Sequence, residues 1–389
     1  MTYLDSAATT LQKPASVERA MAHALTHMAS PGRGGHAPAM LAADTAFACR
    51  EAAAELFHMD DPANVVFTLN ATHALNLAIK SVVKPGDTVV VSGYEHNAVT
   101  RPLTALGCRI LVARSPLFEP QAILEQFDRL ITGDVACVVC TYVSNVFGYI
   151  LPVEEIAALC RSRGVPFILD ASQGAGALPV HMDRLGCAFV GMPGHKGLYG
   201  PQGTGLLLCG EGQAPTTLLE GGTGSLSARQ EMPDFLPDRL EAGTHNVPGI
   251  AGLLEGLRFI RRKGEATILR HEQALTTLAA EKLSAIPGVT VYAAPDPALQ
   301  AGVLSFTLKN MDCETVGERL GKEDIAVRSG LHCAPYAHES AGTLKTGTVR
   351  ASFSAFNRKK DVERFWREGV LDPSSNVQVV GRLAEQQDK

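Results

Sequence analysis

The sequence has 389 residues, of which 46% are hydrophobic and 19% charged, and its 35 Lys and Arg against 40 Asp and Glu give a formal net charge of −5. This composition is typical of a folded globular protein, and the lack of a basic excess argues against a nucleic-acid partner. The N-terminal segment MTYLDSAATTLQKP does not have the pattern of a signal peptide, and no segment has the apolar length of a membrane span. We therefore expect no membrane contact and a cytoplasmic location.

Nine cysteines occur at irregular positions, which fits a reducing compartment better than a disulfide framework. Cys137 and Cys140 form a C-x-x-C pair, but they lie within the apolar run VACVVCTYV. That run favours a buried strand over a redox or zinc site. We expect eight of the nine cysteines to be small core residues.

Short apolar runs alternate with helical patterns in the first half of the chain. Most runs are continuously apolar, which suits strands buried on both faces, and strands that alternate with helices predict an α/β fold with a mostly parallel sheet. Ligands of such sheets bind beyond the carboxyl ends of the strands. The runs are NVVFT (64–68), TVVVS (88–92), VACVVCTYV (135–143), VPFIL (165–169), CAFVG (187–191) and TGLLLC (204–209).

Helical patterns cover 71–83 and 152–164, the second with Gly164 as its expected C-cap. A long helical region is predicted over 249–285, and the pattern changes after it. The predicted division is a large domain over 15–254, a smaller α+β domain formed by 1–14 together with 255–370, and a polar tail over 371–389.

Two polar side chains follow neighbouring apolar runs. Asp170 ends VPFILD, where a carboxylate must be paired to be tolerated; a protonated pyridine nitrogen is one suitable partner, and a helix N-cap is the alternative. Lys196 lies in GHKG after CAFVG, a motif that by itself fits a surface loop better than a Schiff-base lysine. Together the two residues indicate a site for pyridoxal 5′-phosphate (PLP), whose ring acts as an electron sink when its nitrogen is protonated.

A phosphate site is predicted at the start of the helical pattern ATHALNLAIKSVV. Asn70 can cap this helix, and the free N–H groups from Ala71 onward, together with the Thr72 hydroxyl, suit a phosphate group. Polar helix starts are common, so the motif is informative only beside the other residues. His195, next to Lys196, is a further candidate to contact phosphate.

His96 and Asn145 each follow a predicted strand. A single histidine in such a place is more often structural, but beside a PLP site His96 is a candidate to stack on the ring and to move protons. Asn145 is a candidate polar contact to substrate or cofactor.

The order of these motifs resembles the class V aminotransferase group of fold-type I PLP enzymes. Within that group it is most similar to the cysteine desulfurase family, particularly the group II (SUF-type) branch and its selenocysteine lyase relatives. The resemblance extends from residue 3 to about residue 365. The motifs that carry it are YLDSAATTLQKP, EHNA, VSNVFG, DASQ, GHKGLYGPQGTG, EAGTHN, RSGLHCA and RASFSAFN.

The resemblance implies a large PLP-binding domain with a mostly parallel seven-stranded sheet, a smaller α+β domain, and a homodimer with shared active sites. Lys196 would carry PLP as a Schiff base, and Thr244 would reach the phosphate bound by the neighbouring subunit. Arg350 would clamp the substrate α-carboxylate, with Asn145 and Arg328 as further substrate contacts. The remaining cofactor contacts would be Asp170 at the pyridine nitrogen, Gln173 at the ring hydroxyl, His96 on the ring face, and Ala71, Thr72 and His195 at the phosphate.

Cys333, in RSGLHCAP, occupies the place where desulfurases carry their catalytic cysteine. A lone cysteine would more simply be a core residue, but this loop, ahead of Arg350, favours a catalytic one, and Arg328 and His332 could add positive potential that favours the thiolate. The implied reaction converts L-cysteine to L-alanine and leaves a persulfide on Cys333 for a sulfur-acceptor protein. The alternatives are selenocysteine lyase, cysteine-sulfinate desulfinase, a class V aminotransferase, and a PLP-fold protein that binds a sulfur carrier with little turnover.

Two features depart from the family pattern. Pro193 stands where the family usually has Ser or Thr, and proline offers neither a hydroxyl nor a backbone N–H to a phosphate. The stretch between Cys333 and Arg350 also differs from that of the best-studied group II enzymes. The substrate, the sulfur acceptor and the pathway stay open at this point.

Overall fold

The computed structural model describes residues 1–32 and 34–367, and in these residues the chain forms thirteen strands and twelve α-helices. The strands are β1 (Thr2–Tyr3), β2 (Val65–Thr68), β3 (Thr88–Ser92), β4 (Arg109–Ala113), β5 (Val135–Thr141), β6 (Phe167–Asp170), β7 (Phe189–Pro193), β8 (Gly205–Cys209), β9 (Val289–Tyr292), β10 (Val303–Leu308), β11 (Ile325–Ala326), β12 (Arg328–Gly330) and β13 (Thr348–Ser352). The helices are α1 (Ala15–His27), α2 (Ala37–Leu56), α3 (Ala71–Val82), α4 (Asn97–Ala105), α5 (Pro120–Leu130), α6 (Val153–Arg163), α7 (Met182–Leu185), α8 (Val247–Lys263), α9 (Glu265–Ser284), α10 (Cys313–Lys322), α11 (Pro335–Ser340) and α12 (Lys359–Arg367).

A seven-stranded sheet with strand order β2-β8-β7-β6-β5-β3-β4 carries most of the hydrophobic core. Six of its strands are parallel, and β8 is antiparallel to both of its neighbours. Core side chains cover both faces, as the continuously apolar runs predict. The predicted α/β class with a mostly parallel seven-stranded sheet is confirmed.

The predicted elements match the observed ones to within a few residues, and Gly164 ends α6 in the left-handed conformation with φ +65°. One strand of the seven-stranded sheet was missed: β4 lies at the edge of the sheet and is largely unburied, so its sequence RILVA has no buried-strand signature. The long helical region predicted over 249–285 is two helices, α8 and α9, separated at Gly264.

A second, antiparallel sheet with strand order β12-β13-β10-β9 lies in the C-terminal part, and β1 pairs with β11 in a separate parallel ladder. The N-terminal strand therefore joins the C-terminal elements. Helix α8 packs against α1 and α2, whereas α9 packs against β9, β10 and α12. The polar tail predicted over 371–389 lies outside the described residues.

The nine cysteines are all free thiols. Cys137 and Cys140 are fully buried in β5, which confirms a strand-core position for the C-x-x-C pair. Seven cysteines are buried, so the expectation of eight core cysteines is wrong for Cys108, which is partly exposed. Among the described residues, no helix has the length and apolar character needed to cross a membrane.

Candidate active site

A cavity of about 600 Å³ opens beyond the carboxyl ends of β3, β5, β6 and β7, and elements of the C-terminal part close it from the other side. Parallel strands end at one edge of the sheet, so polar residues that follow different strands meet there. Eleven of the twelve predicted site residues line this one cavity. They are Ala71, Thr72, His96, Asn145, Asp170, Gln173, His195, Lys196, Arg328, Cys333 and Arg350.

Lys196 lies in the turn between β7 and β8, with its side chain in the cavity. Burial lowers the pKa of its amine to about 8; the carboxylate of Asp170 opposes this shift, and the positive charges of Arg350 and Arg328 add to it. An amine with this pKa is partly deprotonated at neutral pH. Lys196 can therefore act as a nucleophile or as a base.

Gly194 and Gly197, on either side of Lys196, lie too close to neighbouring atoms for a side chain to fit. A Cβ atom at Gly197 would lie 2.3 Å from the carbonyl oxygen of Ala175, and one at Gly194 would lie 2.1 Å from the Thr204 hydroxyl. The glycines of GHKG thus let the turn pack against the chain's own neighbouring segments.

Asp170 ends β6 with 2% of its surface exposed, and its Oδ1 accepts a hydrogen bond from the Ser172 backbone N–H at 2.9 Å. The residues that follow form turns and no helix, which excludes the helix N-cap alternative. A second carboxyl group near it, Glu95, was missed by the sequence reasoning. Burial raises the pKa of Glu95 to about 8, and its Oε1 accepts hydrogen bonds from the Ser92 hydroxyl and, at 2.8 Å, from the Thr141 N–H.

The helix start predicted for phosphate is present. Helix α3 begins at Ala71, and the Asn70 side chain accepts a hydrogen bond from the His73 N–H at 2.9 Å, as an N-cap does. Ala71 and Thr72 of the first turn line the cavity, as do Pro193 and His195. Burial lowers the pKa of His195 to about 4, so its ring is neutral at neutral pH.

His96 is the N-cap of α4, and its Nδ1 accepts a hydrogen bond from the Ala98 N–H at 3.0 Å. Burial and the charge of Lys196 lower its pKa to about 4. A neutral imidazole whose Nδ1 accepts a hydrogen bond carries its proton on Nε2. In this arrangement the Nε2–H of His96 can donate a hydrogen bond but cannot accept one.

Cys333 lies on a strained loop. Its backbone has φ +56° and that of His332 has φ +48°, two consecutive non-glycine residues in the left-handed region. Two contacts hold the loop: the Asn97 N–H donates to the Cys333 carbonyl at 2.7 Å, and the Asn145 Nδ2 donates to the His332 carbonyl at 2.8 Å. Backbone strain of this kind persists where surrounding contacts determine it, and here it presents an exposed thiol.

His332 does not have the expected role. Its Nε2 donates to the Thr348 carbonyl at 3.1 Å, and burial, together with the charge of Arg350, lowers its pKa to about 2. The ring is therefore neutral, and the expectation that it adds positive potential at Cys333 is wrong. The cationic side chains on this side of the cavity are Arg328 and Arg350.

Arg350 lies in β13 and is 2% exposed. Its Nη1 donates to the Asn145 carbonyl and its Nη2 to the Asp5 carboxylate, both at 2.8 Å, while its Nε has no partner among the described residues. The buried Oδ1 of Asn145 likewise lacks one. Asp5 belongs to the motif YLDSAATTLQKP, but the sequence reasoning gave it no role.

Two residues predicted to contact the cofactor, Gln173 and Thr244, have contacts or positions that the sequence did not predict. The Nε2 of Gln173 donates to the Ala7 carbonyl at 2.9 Å, so the N-terminal segment holds this side chain at the cavity wall. Thr244 does not line the cavity of Lys196. It lines a separate cavity of about 140 Å³ together with the exposed Leu69 and Leu219.

Residues 2–365 match the family model described as aminotransferase class-V. The chain belongs to this family. Members of the class-V aminotransferase family depend on PLP, and the resemblance identified from the motifs is confirmed.

Curated relatives in this family carry the name cysteine desulfurase. The chain is 32% identical to a probable cysteine desulfurase of Methanothermobacter thermautotrophicus, over 93% of the chain and 92% of the relative. It is 33% identical to one of Pseudomonas aeruginosa, over 94% and 92%. A third, from Mycolicibacterium paratuberculosis, is 32% identical over 96% of the chain, but the chain spans only 56% of that protein.

Solved structures in the family share the fold. An apo cysteine desulfurase from Thermococcus onnurineus NA1 matches with a TM-score of 0.84 and 32% identity, over 94% of this chain and 92% of that one. The cysteine desulfurase CsdA (S-sulfonic acid) from Escherichia coli matches with a TM-score of 0.81 and 27% identity, over 99% and 95%.

Proposed function

We propose that the chain is a PLP-dependent cysteine desulfurase that converts L-cysteine to L-alanine and keeps the sulfur as a persulfide on Cys333. One observation carries this proposal: the exposed thiol of Cys333 lines the same cavity as Lys196 and Arg350. A transaminase needs the lysine and the arginine but has no use for the thiol. The names of the curated relatives support the same reaction.

The residues of the cavity fit PLP. Lys196 has a pKa lowered to about 8, Asp170 is a buried carboxylate at a strand end, and the first residues of α3 line the cavity. PLP, when bound, supplies a protonated ring that stores the electron pair left when the Cα–H bond of the substrate breaks. The residues proposed to hold it are Lys196, Asp170, Gln173, His96, Ala71, Thr72 and His195.

Pro193 removes one side-chain donor from the phosphate end, so the N–H groups of Ala71 and Thr72 and the Thr72 hydroxyl would carry more of that binding. The neutral His195 would contribute a hydrogen bond and no charge. This phosphate site depends on the helix N-terminus more than on side chains.

Arg350 is the proposed clamp for the substrate α-carboxylate, because a guanidinium group offers a planar fork that fits a carboxylate. The buried Asn145 Oδ1, which lacks a partner, would accept a hydrogen bond from the bound substrate or cofactor. Arg328, with its exposed side chain at the cavity mouth, adds positive potential for an anionic substrate.

Lys196 is the proposed base that removes the proton from the substrate Cα and later returns it, since a base is most effective when its pKa is near the working pH. His96 would stack on the cofactor ring and donate from Nε2. Because its Nδ1 accepts the Ala98 N–H, its proposed role is that of a hydrogen-bond donor at Nε2.

The sulfur transfer step needs the thiolate of Cys333. Its sulfur attacks the substrate sulfur, an S–S bond forms, and the C–S bond of the substrate breaks with its electron pair left on carbon. That carbon takes up one proton to become the methyl group of alanine, so the step needs no external oxidant or reductant. The exposed loop would then present the persulfide to a sulfur-acceptor protein.

We also propose a homodimer with shared sites. Thr244 lies outside the cavity of its own chain and beside the exposed apolar side chains of Leu69 and Leu219, a combination that suits a partner surface.

The free thiols support a reducing, cytoplasmic location. The two proposed domains would meet at Gly264 rather than at the predicted residue 254, since α8 packs against α1 and α2, whereas α9 packs against β9, β10 and α12.

The deciding experiment is mass spectrometry of the holoenzyme after incubation with L-cysteine. We expect the peptide that contains Cys333 to gain the mass of one sulfur atom, and Cys333→Ser to lose both this gain and alanine production. Cys108→Ser is the control, because Cys108 is the other cysteine that is not buried. Alanine formation that is unchanged in Cys333→Ser would contradict the proposal.

The same cavity would also serve selenocysteine lyase and cysteine-sulfinate desulfinase chemistry, in which C–Se or C–SO₂ cleavage depends less on the cysteine. Rates on L-cysteine, L-selenocysteine and cysteine sulfinate, each measured for the wild type and for Cys333→Ser, separate these reactions. A substrate whose rate survives the substitution does not use the persulfide.

A further inference from the structure

The N-terminal segment between β1 and α1 supplies a carboxylate to the proposed substrate-binding arginine. The Nη2 of Arg350 donates to the Oδ1 of Asp5 at 2.8 Å. The side chain of Arg350, which lines the cavity, is 2% exposed, and that of Asp5 behind it is 19% exposed. No role has been assigned to Asp5 so far.

The backbone of Asp5 is fixed beside the strand that carries Arg350. Asp5 forms a parallel bridge with Ser352, two residues after Arg350 in β13. The Ser352 N–H donates to the Leu4 carbonyl at 2.7 Å, and the Ala7 N–H donates to the Ser352 hydroxyl at 2.8 Å. The carboxylate is thus placed by strand pairing and does not depend on a mobile terminus.

The positive charges of Arg350 and Arg328 explain why a carboxylate at Asp5 is favourable. Arg328 of β12 pairs directly with Arg350 of β13, and like charges opposite each other across two strands repel. A buried cation also needs a counter-charge. Asp5 meets both requirements at Arg350, whereas Arg328 is exposed to solvent.

We propose that Asp5 is a positioning residue that holds the guanidinium of Arg350 in the orientation that receives the substrate α-carboxylate. This inference rests on the proposed role of Arg350. A guanidinium has five N–H donors, and in the hydrogen bonds above Arg350 uses one to Asp5 and one to Asn145. Among the described residues these hydrogen bonds leave three donors, one each on Nη1, Nη2 and Nε, so a substrate carboxylate can bind without displacing Asp5.

The opposite possibility is that Asp5 competes with the substrate for Arg350. The two possibilities predict changes of opposite sign in the affinity for a carboxylate when the charge of Asp5 is removed. If Asp5 orients the arginine, removing its charge weakens carboxylate binding; if Asp5 competes, removing its charge strengthens it.

The experiment titrates the PLP-loaded holoenzyme with L-alanine and with ethylamine, which is L-alanine without its carboxylate, and follows the absorbance of the bound cofactor. For Asp5→Asn we expect the Kd of L-alanine to rise about tenfold, as for loss of a charged hydrogen bond. The Kd of ethylamine should stay within about twofold, because this amine has no group for Arg350 to bind. The KM for L-cysteine should rise with the Kd of L-alanine, while kcat changes much less.

Asp324→Asn is the matched control. This aspartate also pairs with the N-terminal part of the chain, through the Met1 ammonium, but lies 58% exposed and does not line the cavity. It should leave both Kd values unchanged. Tighter binding of L-alanine by Asp5→Asn, or an equal loss for L-alanine and ethylamine, would overturn the inference.

If its melting temperature shows that Asp5→Asn does not fold, Asp5→Glu tests the same proposal. It keeps the charge but moves the carboxylate by one methylene from a fixed backbone, so L-alanine should bind about threefold more weakly and ethylamine as in the wild type. Equal effects on the two ligands would again overturn the inference. So would a wild type that does not prefer L-alanine over ethylamine. Failure to form a persulfide from L-cysteine would contradict only the desulfurase reaction, since the two titrations do not involve sulfur.

Discussion

The guanidinium of Arg50 and the carboxylate of Glu241 form a buried two-point ion pair, with Nη1 to Oε1 at 2.8 Å and Nη2 to Oε2 at 2.5 Å. The pair joins α2 to the loop that carries Thr244. The same carboxylate accepts hydrogen bonds from the Phe67 N–H at 2.6 Å and from the His245 Nε2 at 2.5 Å. Glu241 thereby connects β2, which contains Phe67, with the loop proposed to reach the neighbouring subunit.

Substitution of Glu241 by Gln should destabilise the fold by about 3 kcal/mol, because it leaves the buried Arg50 guanidinium without a counter-charge. Urea denaturation followed by circular dichroism measures the change. The control is Glu255→Gln in the more exposed Glu255–Arg258 pair, which should cost less than about 1 kcal/mol. Similar losses in the two variants would contradict the prediction.

Substitution of Lys196 by Ala should abolish the visible absorption of the lysine-bound cofactor and lower desulfurase activity by about 10³-fold, because it removes both the covalent attachment and the proposed base. Absorption spectra of protein reconstituted with PLP and alanine assays measure the two effects. Lys80→Ala, on the exposed end of α3, should change neither. A variant without Lys196 that keeps the band would contradict the proposed role.

Much of the cavity could be predicted from the sequence, because its polar residues follow strands. Asp170, Lys196, His96 and Asn145 each come after an apolar run, and the carboxyl ends of parallel strands share one edge. The helix start at Ala71 was equally visible, since Asn70 has the side chain of an N-cap.

The paired charges could not be predicted. Arg350 and Asp5 are 345 residues apart, and Arg50 and Glu241 are 191 apart, so each pair depends on how distant elements pack. The neutral state of His332 was also not accessible from the motif RSGLHCA. Its cause is burial beside Arg350, which exists only in the folded chain.

Acidification should destabilise the protein through His332. Its pKa is lowered from the ordinary 6.5 to about 2, so between these values the unfolded chain binds a proton that the folded chain does not. Stability therefore falls as the pH falls below about 6.5, by about 2 kcal/mol between pH 7 and pH 5 for this residue alone. Urea denaturation of the wild type and of His332→Gln at the two pH values measures it.

The substitution His332→Gln keeps an N–H donor for the Thr348 carbonyl but does not titrate. Its free energy of unfolding should therefore change less between pH 7 and pH 5 than that of the wild type. A pH dependence that survives in His332→Gln would mean that the ring is not the group that titrates.

His96 has two separable roles, and two substitutions distinguish them. The Oδ1 of an asparagine can accept the Ala98 N–H and keep the N-cap of α4, so His96→Asn should keep stability within about 0.5 kcal/mol of the wild type. His96→Ala should lose about 1 kcal/mol, because it removes the cap. Both variants should lose about 10²-fold in kcat, since both lack the Nε2 proton and the ring. Urea denaturation of the two variants measures the change in stability, and alanine assays measure the change in kcat. Full activity in His96→Asn would show that the imidazole ring only caps α4 and has no part in the reaction.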